Sequence, residues 1–187
     1  MPSGQTHDRI TLWSLPWIAG ISYGLTRNGE LTLLVAGGFL FGGLMFGPDL
    51  DIYSRQYLRW GWVKWIWRPY QKVLRHRSFW SHGPMIGTTL RLFYLAGWIS
   101  LIGLAGAAIL LHFGHIEPDW LMASGVIRSA IEEYRGEAIV LFLGLELGSM
   151  SHSLSDWLGS AAKRLKQRQL WGKNQGRKTL RPSRKGN

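Results

Sequence analysis

Seven His and Asp side chains in this sequence have the types and spacings of ligands for a divalent metal ion. They lie in four separated segments and comprise His7, Asp49, Asp51, His76, His82, His152 and Asp156. The chain contains no cysteine, so any metal must be bound through nitrogen and oxygen. This mixed ligand set suits Zn²⁺, Mn²⁺ or Fe²⁺, and it exceeds the needs of one tetrahedral site, so we expect one or two ions.

The spacing of these residues supports a shared centre. Asp49 and Asp51 follow an apolar stretch that Pro48 helps to end, where negative charge opposes the helix dipole unless a cation offsets it. His152 and Asp156 stand at positions i and i+4, so they share one face of a helix. A His–Asp hydrogen bond without metal is the alternative for this single pair. The complete set predicts a metal site more strongly than any of its pairs does.

The segment HRSFWSH adds two imidazoles and a candidate phosphate-binding group. His76 and His82 precede the longest apolar stretch, and the serine hydroxyls between them can hydrogen-bond the imidazoles. Arg75 and Arg77 flank His76, and guanidinium groups bind phosphate through paired hydrogen bonds. Basic residues at a cytoplasmic membrane face also explain both arginines without a substrate. Substrate binding by Arg75 and Arg77 is therefore a separate prediction from metal binding.

Four apolar stretches must position these segments, at residues 10–25, 31–47, 92–111 and 138–150. The third is uncharged and, as a helix, spans about 30 Å, the thickness of a bilayer's hydrocarbon core. The second is rich in glycine, which favours close helix packing in lipid. The first contains Pro16 and the fourth Glu146, so either could instead be a buried helix. The predicted fold is all-α, a multipass membrane bundle of about four apolar helices, with a soluble helical domain as the alternative.

Charge predicts which side of the membrane holds the candidate ligands. Four spanning helices would bring all seven to one side, which also receives residues 52–77, with seven Lys or Arg and no acid. The chain after Asp156 lies there too and holds ten Lys or Arg and no acid, whereas residues 112–137 on the other side hold five acids. By the positive-inside rule, we expect a multipass protein with cytoplasmic N- and C-termini.

Composition divides the chain and ranks its partners. Residues 1–162 form the predicted metal-binding membrane domain, and residues 163–187 a basic tail that has little to bury and is predicted to be disordered. Residues 57–77 alternate Trp with cations, as in chain lying among lipid headgroups, or else form an aromatic loop packed on the body. A net charge of +11 also suits a nucleic-acid binder, but much of it lies at predicted membrane edges. Membrane lipid is therefore the expected partner, and nucleic acid ranks last.

The motifs resemble a family of uncharacterised metal-binding membrane proteins from THDRIT through GGLMFGPDLD and HRSFWSHG to SHSLSDW, nearly the whole chain. They resemble more distantly the LexA-regulated inner-membrane family of metal-dependent hydrolases, which has an N-terminal His and later PD-x-D and S-H-x-x-x-D segments in the same order. That family also has an HR-x-x-x-H-S segment, and this chain has Gly83 where the segment ends in Ser. The residue after PD-x-D is often another His in that family, and here it is Ile52. The resemblance implies a membrane protein with a hydrolase site at the seven His and Asp residues.

The leading functional hypothesis is a cytoplasm-facing, metal-dependent hydrolase that acts on an ester or a phosphoester. One or two metal ions would activate water and hold the substrate oxygen. The rival is a non-catalytic membrane protein in which the same residues hold a structural metal or transport ions. A closed ligand shell, without an open position for water, would favour the rival.

Overall fold

The regular structure of this protein is helical, as the sequence predicted. The computed structural model describes residues 4–114 and 119–179, and these contain no strand. Short 3₁₀ helices at Pro48–Asp51 and Gly61–Trp67 stand among the α-helices. In chain order the α-helices are α1 (Gly4–Thr26), α2 (Gly29–Leu44), α3 (Arg55–Leu58), α4 (Arg68–Val73), α5 (Phe79–His82), α6 (Ile86–His112), α7 (Trp120–Glu133) and α8 (Arg135–Thr179).

Helices α2 and α8 form the most extensive helix pair, because glycines allow their backbones to touch. A Cβ atom added at Gly38 would lie 2.8 Å from the carbonyl oxygen of Leu141. One added at Gly144 would lie 2.5 Å from the carbonyl oxygen of Val35. Small residues at such positions are typical of close helix packing in membranes. The contact holds the turn Pro48–Asp51, which follows α2, beside the middle of α8.

Helix α1 runs antiparallel to α2. The first turn of α1 therefore lies at the same end of the bundle as the last turn of α2. Thr11 packs against Gly43, where an added Cβ would lie 2.6 Å from the Thr11 side chain. Asp8 accepts hydrogen bonds from Arg55 at 2.9 Å and from Arg59 at 2.7 Å. These contacts attach the first turn of α1 to the chain that follows α2.

An aromatic core lies beneath the Trp-rich segment of residues 57–77. Trp67 is fully buried and meets Phe46 edge to face at 5.8 Å and Tyr70 at 5.6 Å between ring centroids. Trp62, in contrast, is 86% exposed. Part of the segment is therefore an aromatic loop packed on the helix bundle. For exposed rings such as Trp62, a location among lipid headgroups stays a prediction.

Three segments of the described chain are long and apolar enough to cross a membrane, namely Gly29–Asp51, Ile86–His112 and Arg135–Ala161. The sequence predicted about four. Helix α1 is absent from this set because Pro16 and several polar residues are mixed among its apolar side chains. No residue in the most apolar 18-residue stretch of α6 is buried within the protein. This helix therefore presents apolar side chains to its surroundings.

Helix α8 extends past the predicted domain boundary at residue 162 and continues through Thr179. The domain boundary at residue 162 and the disordered tail stay predictions, while residues 163–179 are helical here and residues 180–187 lie outside the described chain. The physical reason is local, since Ala, Lys, Arg, Leu and Gln dominate residues 161–170 and have high helix propensity. No proline interrupts the sequence after α8 begins until Pro182.

Candidate metal centre

The seven predicted ligands come together at one end of the helix bundle. The start of α1, the turn after α2, the chain around α5 and the middle of α8 each contribute. They form two adjoining groups in which one ligand atom from each residue lies within 4.8 Å of the others, His7 with His152 and Asp156, and Asp49 with His76 and His82. Asp51 lies beside the second group. The seven residues thus share one location, and their binding of metal stays a prediction.

The first group is buried, and its imidazoles are held in ligand-like orientations. His7 Nε2 lies 3.2 Å from Asp156 Oδ1, and the His7 and His152 rings stack at 3.9 Å between centroids. Ser155 Oγ donates its hydrogen to the His152 carbonyl oxygen at 2.8 Å and lies 2.5 Å from His7 Nδ1. The contact with Ser155 fixes the orientation of the His7 ring. Its Nε2 atom then faces Asp156.

The second group is more accessible to solvent, and the buried carboxylate of Asp51 lies next to it. His76 Nδ1 lies 2.8 Å from Asp51 Oδ1, and the His76 and His82 rings meet edge to face at 5.1 Å. Ser81 Oγ lies 2.8 Å from His82 Nδ1 and engages that nitrogen. The other ring nitrogen, His82 Nε2, lies 3.9 Å from Asp49 Oδ1. Hydrogen bonding on one side of each imidazole thus orients the ring, as is usual for metal-binding histidines.

Asp49 lies between the two groups. Its Oδ1 atom faces His82 Nε2 at 3.9 Å, while its Oδ2 atom faces His152 Nε2 at 3.1 Å. A carboxylate can coordinate through both oxygens, so this side chain is placed to contribute to either group or to both. It is the central residue of the site.

Three ligand atoms at this centre are buried and have no hydrogen-bond partner among the described residues: Asp51 Oδ2, His82 Nε2 and His152 Nε2. A buried polar atom without a partner costs about 1–3 kcal/mol. A cation between the imidazoles and the carboxylates would satisfy these atoms together. The donor set is nitrogen and oxygen, as divalent transition metals prefer, so the residues fit a metal ion.

Burial also favours the metal-binding protonation state of two imidazoles. Burial lowers the pKa of His7 below its usual value, and the neighbouring His152 lowers it further, against the opposing charges of Asp156 and Asp49. Burial likewise lowers the pKa of His82, against the opposing charge of Asp51. Both rings are therefore neutral at neutral pH, and each has a lone pair for coordination.

Sequence comparison assigns the chain to a family. The family described as "Uncharacterized metal-binding protein (DUF2227)" matches residues 2–166, a range that contains all seven His and Asp residues. The chain belongs to the DUF2227 family. Metal binding is thus a property that the family's description and the geometry of this site share, whereas neither establishes which metal is bound.

This DUF2227 chain is similar to part of one bacterial protein. An uncharacterized protein of Aquifex aeolicus (strain VF5) is 41% identical over 59 residues, which are 31% of this chain and 41% of that protein. The chain therefore spans about two fifths of that relative's length. No solved structure matches. These findings give no link to the LexA-regulated hydrolases.

Gln56 supports the candidate metal centre. The sequence reasoning missed it because no motif or spacing distinguishes this glutamine. Its buried side chain donates from Nε2 to the Gly43 carbonyl oxygen at 2.9 Å and accepts from the Asp49 backbone N–H at 3.2 Å. It also lies 3.5 Å from His152 Nδ1. Gln56 therefore connects the end of α2, the turn that carries Asp49 and the imidazole on α8.

Arg91 is a second supporting residue that the sequence reasoning missed. It is fully buried at the start of α6 and donates to the Ser81 carbonyl oxygen at 3.0 Å, to Thr88 Oγ1 at 2.9 Å and to Ser149 Oγ at 2.8 Å. The signal was a lone cation that borders the longest apolar stretch. Glu146, the acid within the fourth apolar stretch, accepts from the Met85 backbone N–H at 2.8 Å. Both side chains hold the chain around α5 against α8.

The two arginines predicted to bind substrate lie in different places. Arg77 has a left-handed backbone with φ 60°, which is uncommon for a residue with a Cβ atom, and donates to Asp156 Oδ2 at 3.1 Å. It lines a cavity of about 270 Å³ next to His82. Arg75 is exposed and does not line this cavity, and its carbonyl oxygen accepts from Ser81 Oγ at 3.4 Å.

Proposed function

We propose that this DUF2227 protein is a membrane-embedded, metal-dependent hydrolase of esters or phosphoesters, with its site at the cytoplasmic face. The observation that carries the proposal is the position of Asp49 between the buried Nε2 atoms of His82 and His152, neither of which has a hydrogen-bond partner among the described residues. Side chains that lack partners in a buried site are expected where an ion completes the set. Metal binding is the part of this proposal that the family description supports.

The ligands divide into an inner and an outer set. His7, His152 and Asp156 are all buried and would hold an inner ion, while Asp49, His76 and His82 are partly accessible and would hold an outer ion. Asp51 orients His76 through one oxygen, and its other oxygen is free of hydrogen bonds within the described chain. An accessible set next to a buried set suits catalysis at the outer ion, because a substrate must reach an open position.

A divalent transition metal bound here would act as a Lewis acid toward a substrate oxygen and lower the pKa of water. The protein's own groups supply orientation and charge. Asp49 faces both ligand sets, and Arg77 offsets the charge of Asp156 at 3.1 Å. Zn, Mn and Fe are the candidate metals on ligand type alone.

Membrane location rests on hydropathy and charge. Three described helical segments are long and apolar enough to span, and the site lies where α2 ends and α6 begins. That end also carries residues 52–77 with seven Lys or Arg and no acid, which the positive-inside rule assigns to the cytoplasm. His7 and Asp156 are in contact, so both terminal segments reach this same end.

A structural metal is the second candidate function, and the inner set favours it. His7, His152 and Asp156 are each less than one tenth exposed, which resembles a closed structural site. In this reading the ion joins α1 to α8 and stabilises the bundle without catalysis. Hydrolysis therefore depends on the outer set, and the two candidates differ in what substitution of His82 should change.

The test combines metal analysis with hydrolysis by protein purified in detergent. We expect the unsubstituted protein to hold about one or two equivalents of transition metal. The double variant His152→Ala with His82→Ala should lose most of this metal. His82→Ala alone should lose hydrolysis of p-nitrophenyl phosphate or of the ester substrate. His112→Ala, an exposed imidazole at the far end of α6, is the matched control. Full metal content without hydrolysis across ester and phosphoester panels would favour the structural metal, and absence of bound metal would refute both.

A further inference from the structure

A cavity of about 270 Å³ opens beside both ligand sets. It reaches Asp156 of the inner set and His82 of the outer set. Its volume corresponds to several water molecules, which occupy about 30 Å³ each in the liquid, so it has room for a phosphoryl group. A substrate group held here would lie next to the proposed metals.

One wall of the cavity is a single face of α8. Ser153, Asp156, Ser160 and Arg164 line it at the three- and four-residue spacings that align side chains along a helix. Arg77, from the chain before α5, also lines the cavity. The wall therefore offers two hydroxyl groups and a guanidinium, with the candidate metal ligand Asp156 between the two serines.

The charge of the cavity favours an anion. Its carboxylate, Asp156, is already contacted by His7 and Arg77. The side chain of Arg164 has no ion pair or hydrogen bond with any residue that the structure describes. The cavity therefore has two guanidinium groups and one carboxylate, and Arg77 already balances the charge of that carboxylate. The positive charge of Arg164 is available to bind an anion.

We propose that Arg77 and Arg164 bind the phosphate group of the substrate in this cavity, with Ser153 and Ser160 as additional donors. The proposal rests on the proposed hydrolase and narrows its substrate from esters in general to phosphoesters. Guanidinium groups bind phosphate oxygens through paired, charge-assisted hydrogen bonds, which a neutral carboxylic ester cannot accept with equal strength. The left-handed backbone of Arg77 is a local strain that is commonly found at binding sites.

The phosphate could belong to a lipid headgroup or to a water-soluble monoester. Trp157 lines the cavity, is 62% exposed, and lies near the end of the candidate span Arg135–Ala161, where indoles meet headgroups. The chemistry that Arg164 recognises is the same for both sources. An experiment must therefore separate them.

The experiment is calorimetric titration of inorganic phosphate into metal-loaded protein in nanodiscs of neutral lipid. We expect Arg164→Gln and Arg77→Gln each to weaken phosphate binding about tenfold or more with metal content unchanged for Arg164→Gln. Lys166→Gln is the matched control, since it removes one positive charge from the same helix outside the cavity. Metal content is measured for every variant, so a change at Asp156 caused by Arg77→Gln is detected separately.

Unchanged phosphate affinity in fully metal-loaded Arg164→Gln would overturn the proposal, as would equal weakening in Lys166→Gln. Protein without bound metal would instead refute the proposed function, so the two failures are distinguishable. Competition identifies the source: displacement of phosphate by vesicles of phosphatidylcholine with phosphatidic acid indicates a lipid headgroup, and displacement by p-nitrophenyl phosphate alone indicates a soluble monoester. Displacement by neither would also overturn it.

Discussion

Asp49 Oδ2 lies 3.1 Å from His152 Nε2, and this contact joins the turn after α2 to the middle of α8. The other oxygen of the same carboxylate faces His82, which belongs to the chain before α6. One side chain therefore relates three parts of the chain. If the site holds metal, Asp49 is the residue whose loss should affect both ligand sets.

Asp49→Asn tests this central position. The substitution removes the negative charge and leaves one oxygen, so we expect metal affinity to fall at least about 100-fold while the helical content stays the same. Metal bound after dialysis and circular dichroism measure the two properties. Glu132→Gln makes the same change in an exposed ion pair on α7 and should leave metal content unaltered. Retention of all metal by Asp49→Asn would contradict its position as a ligand.

The depressed pKa values of His7 and His82 predict the pH range of metal binding. Both lie below the usual 6.5, so protons compete with metal at these rings only below that pH. Bound metal should stay constant from about pH 8 to about pH 6.5 and decline at lower pH. Equilibrium dialysis across this range checks the prediction, and release of metal between pH 8 and pH 7 would be inconsistent with it.

The same depressed pKa values predict how stability changes in metal-free protein. Below 6.5 the unfolded chain binds more protons at His7 and His82 than the folded chain does. The free energy of unfolding should therefore fall as the pH decreases below 6.5 and level off above it. Thermal unfolding in detergent measures this trend, and stability that rises on acidification through this range would show the opposite linkage.

Gly144→Ala tests the contact between α2 and α8. The added methyl group would meet the Val35 carbonyl oxygen at 2.5 Å, so the helices must separate, at a cost of about 1–3 kcal/mol. Separation also moves Asp49 away from His152, so we expect lower thermal stability together with weaker metal binding. Gly103→Ala on α6 is the control, because an added Cβ meets nothing within 4 Å there. Equal behaviour of the two variants would exclude this account.

Arg91→Met tests the buried guanidinium that supports α5. The variant keeps an extended apolar side chain but leaves the Ser81 carbonyl oxygen and the Ser149 hydroxyl without their donor. Each unpaired group costs about 1–3 kcal/mol, so the unfolding temperature should fall clearly, and Arg91→Lys should restore part of the loss. Arg128→Met removes an exposed arginine and should change stability little. An unfolding temperature as high as that of the unsubstituted protein would contradict the assigned contacts of Arg91.

The sequence was sufficient for the all-α class and for the common location of the seven His and Asp residues, whose role as metal ligands stays a prediction. These properties follow from side-chain chemistry and from the lengths of apolar stretches, which are local. The spacing of His152 and Asp156 placed both on one helix face without any tertiary information. Local patterns gave less on two points, since three rather than about four segments qualify as candidate spans and the sequence did not indicate that α8 continues through Thr179.

Only the tertiary structure decided which atoms face one another. The position of Asp49 between His82 and His152 depends on how closely glycines allow α2 to approach α8. Contacts made by Gln56 and Arg91, and the position of Arg77 beside Asp156, join segments far apart in the chain, and no spacing along one element encodes them. The sequence by itself determined which chemistry is available, whereas packing between distant helices determined how the ligands are arranged.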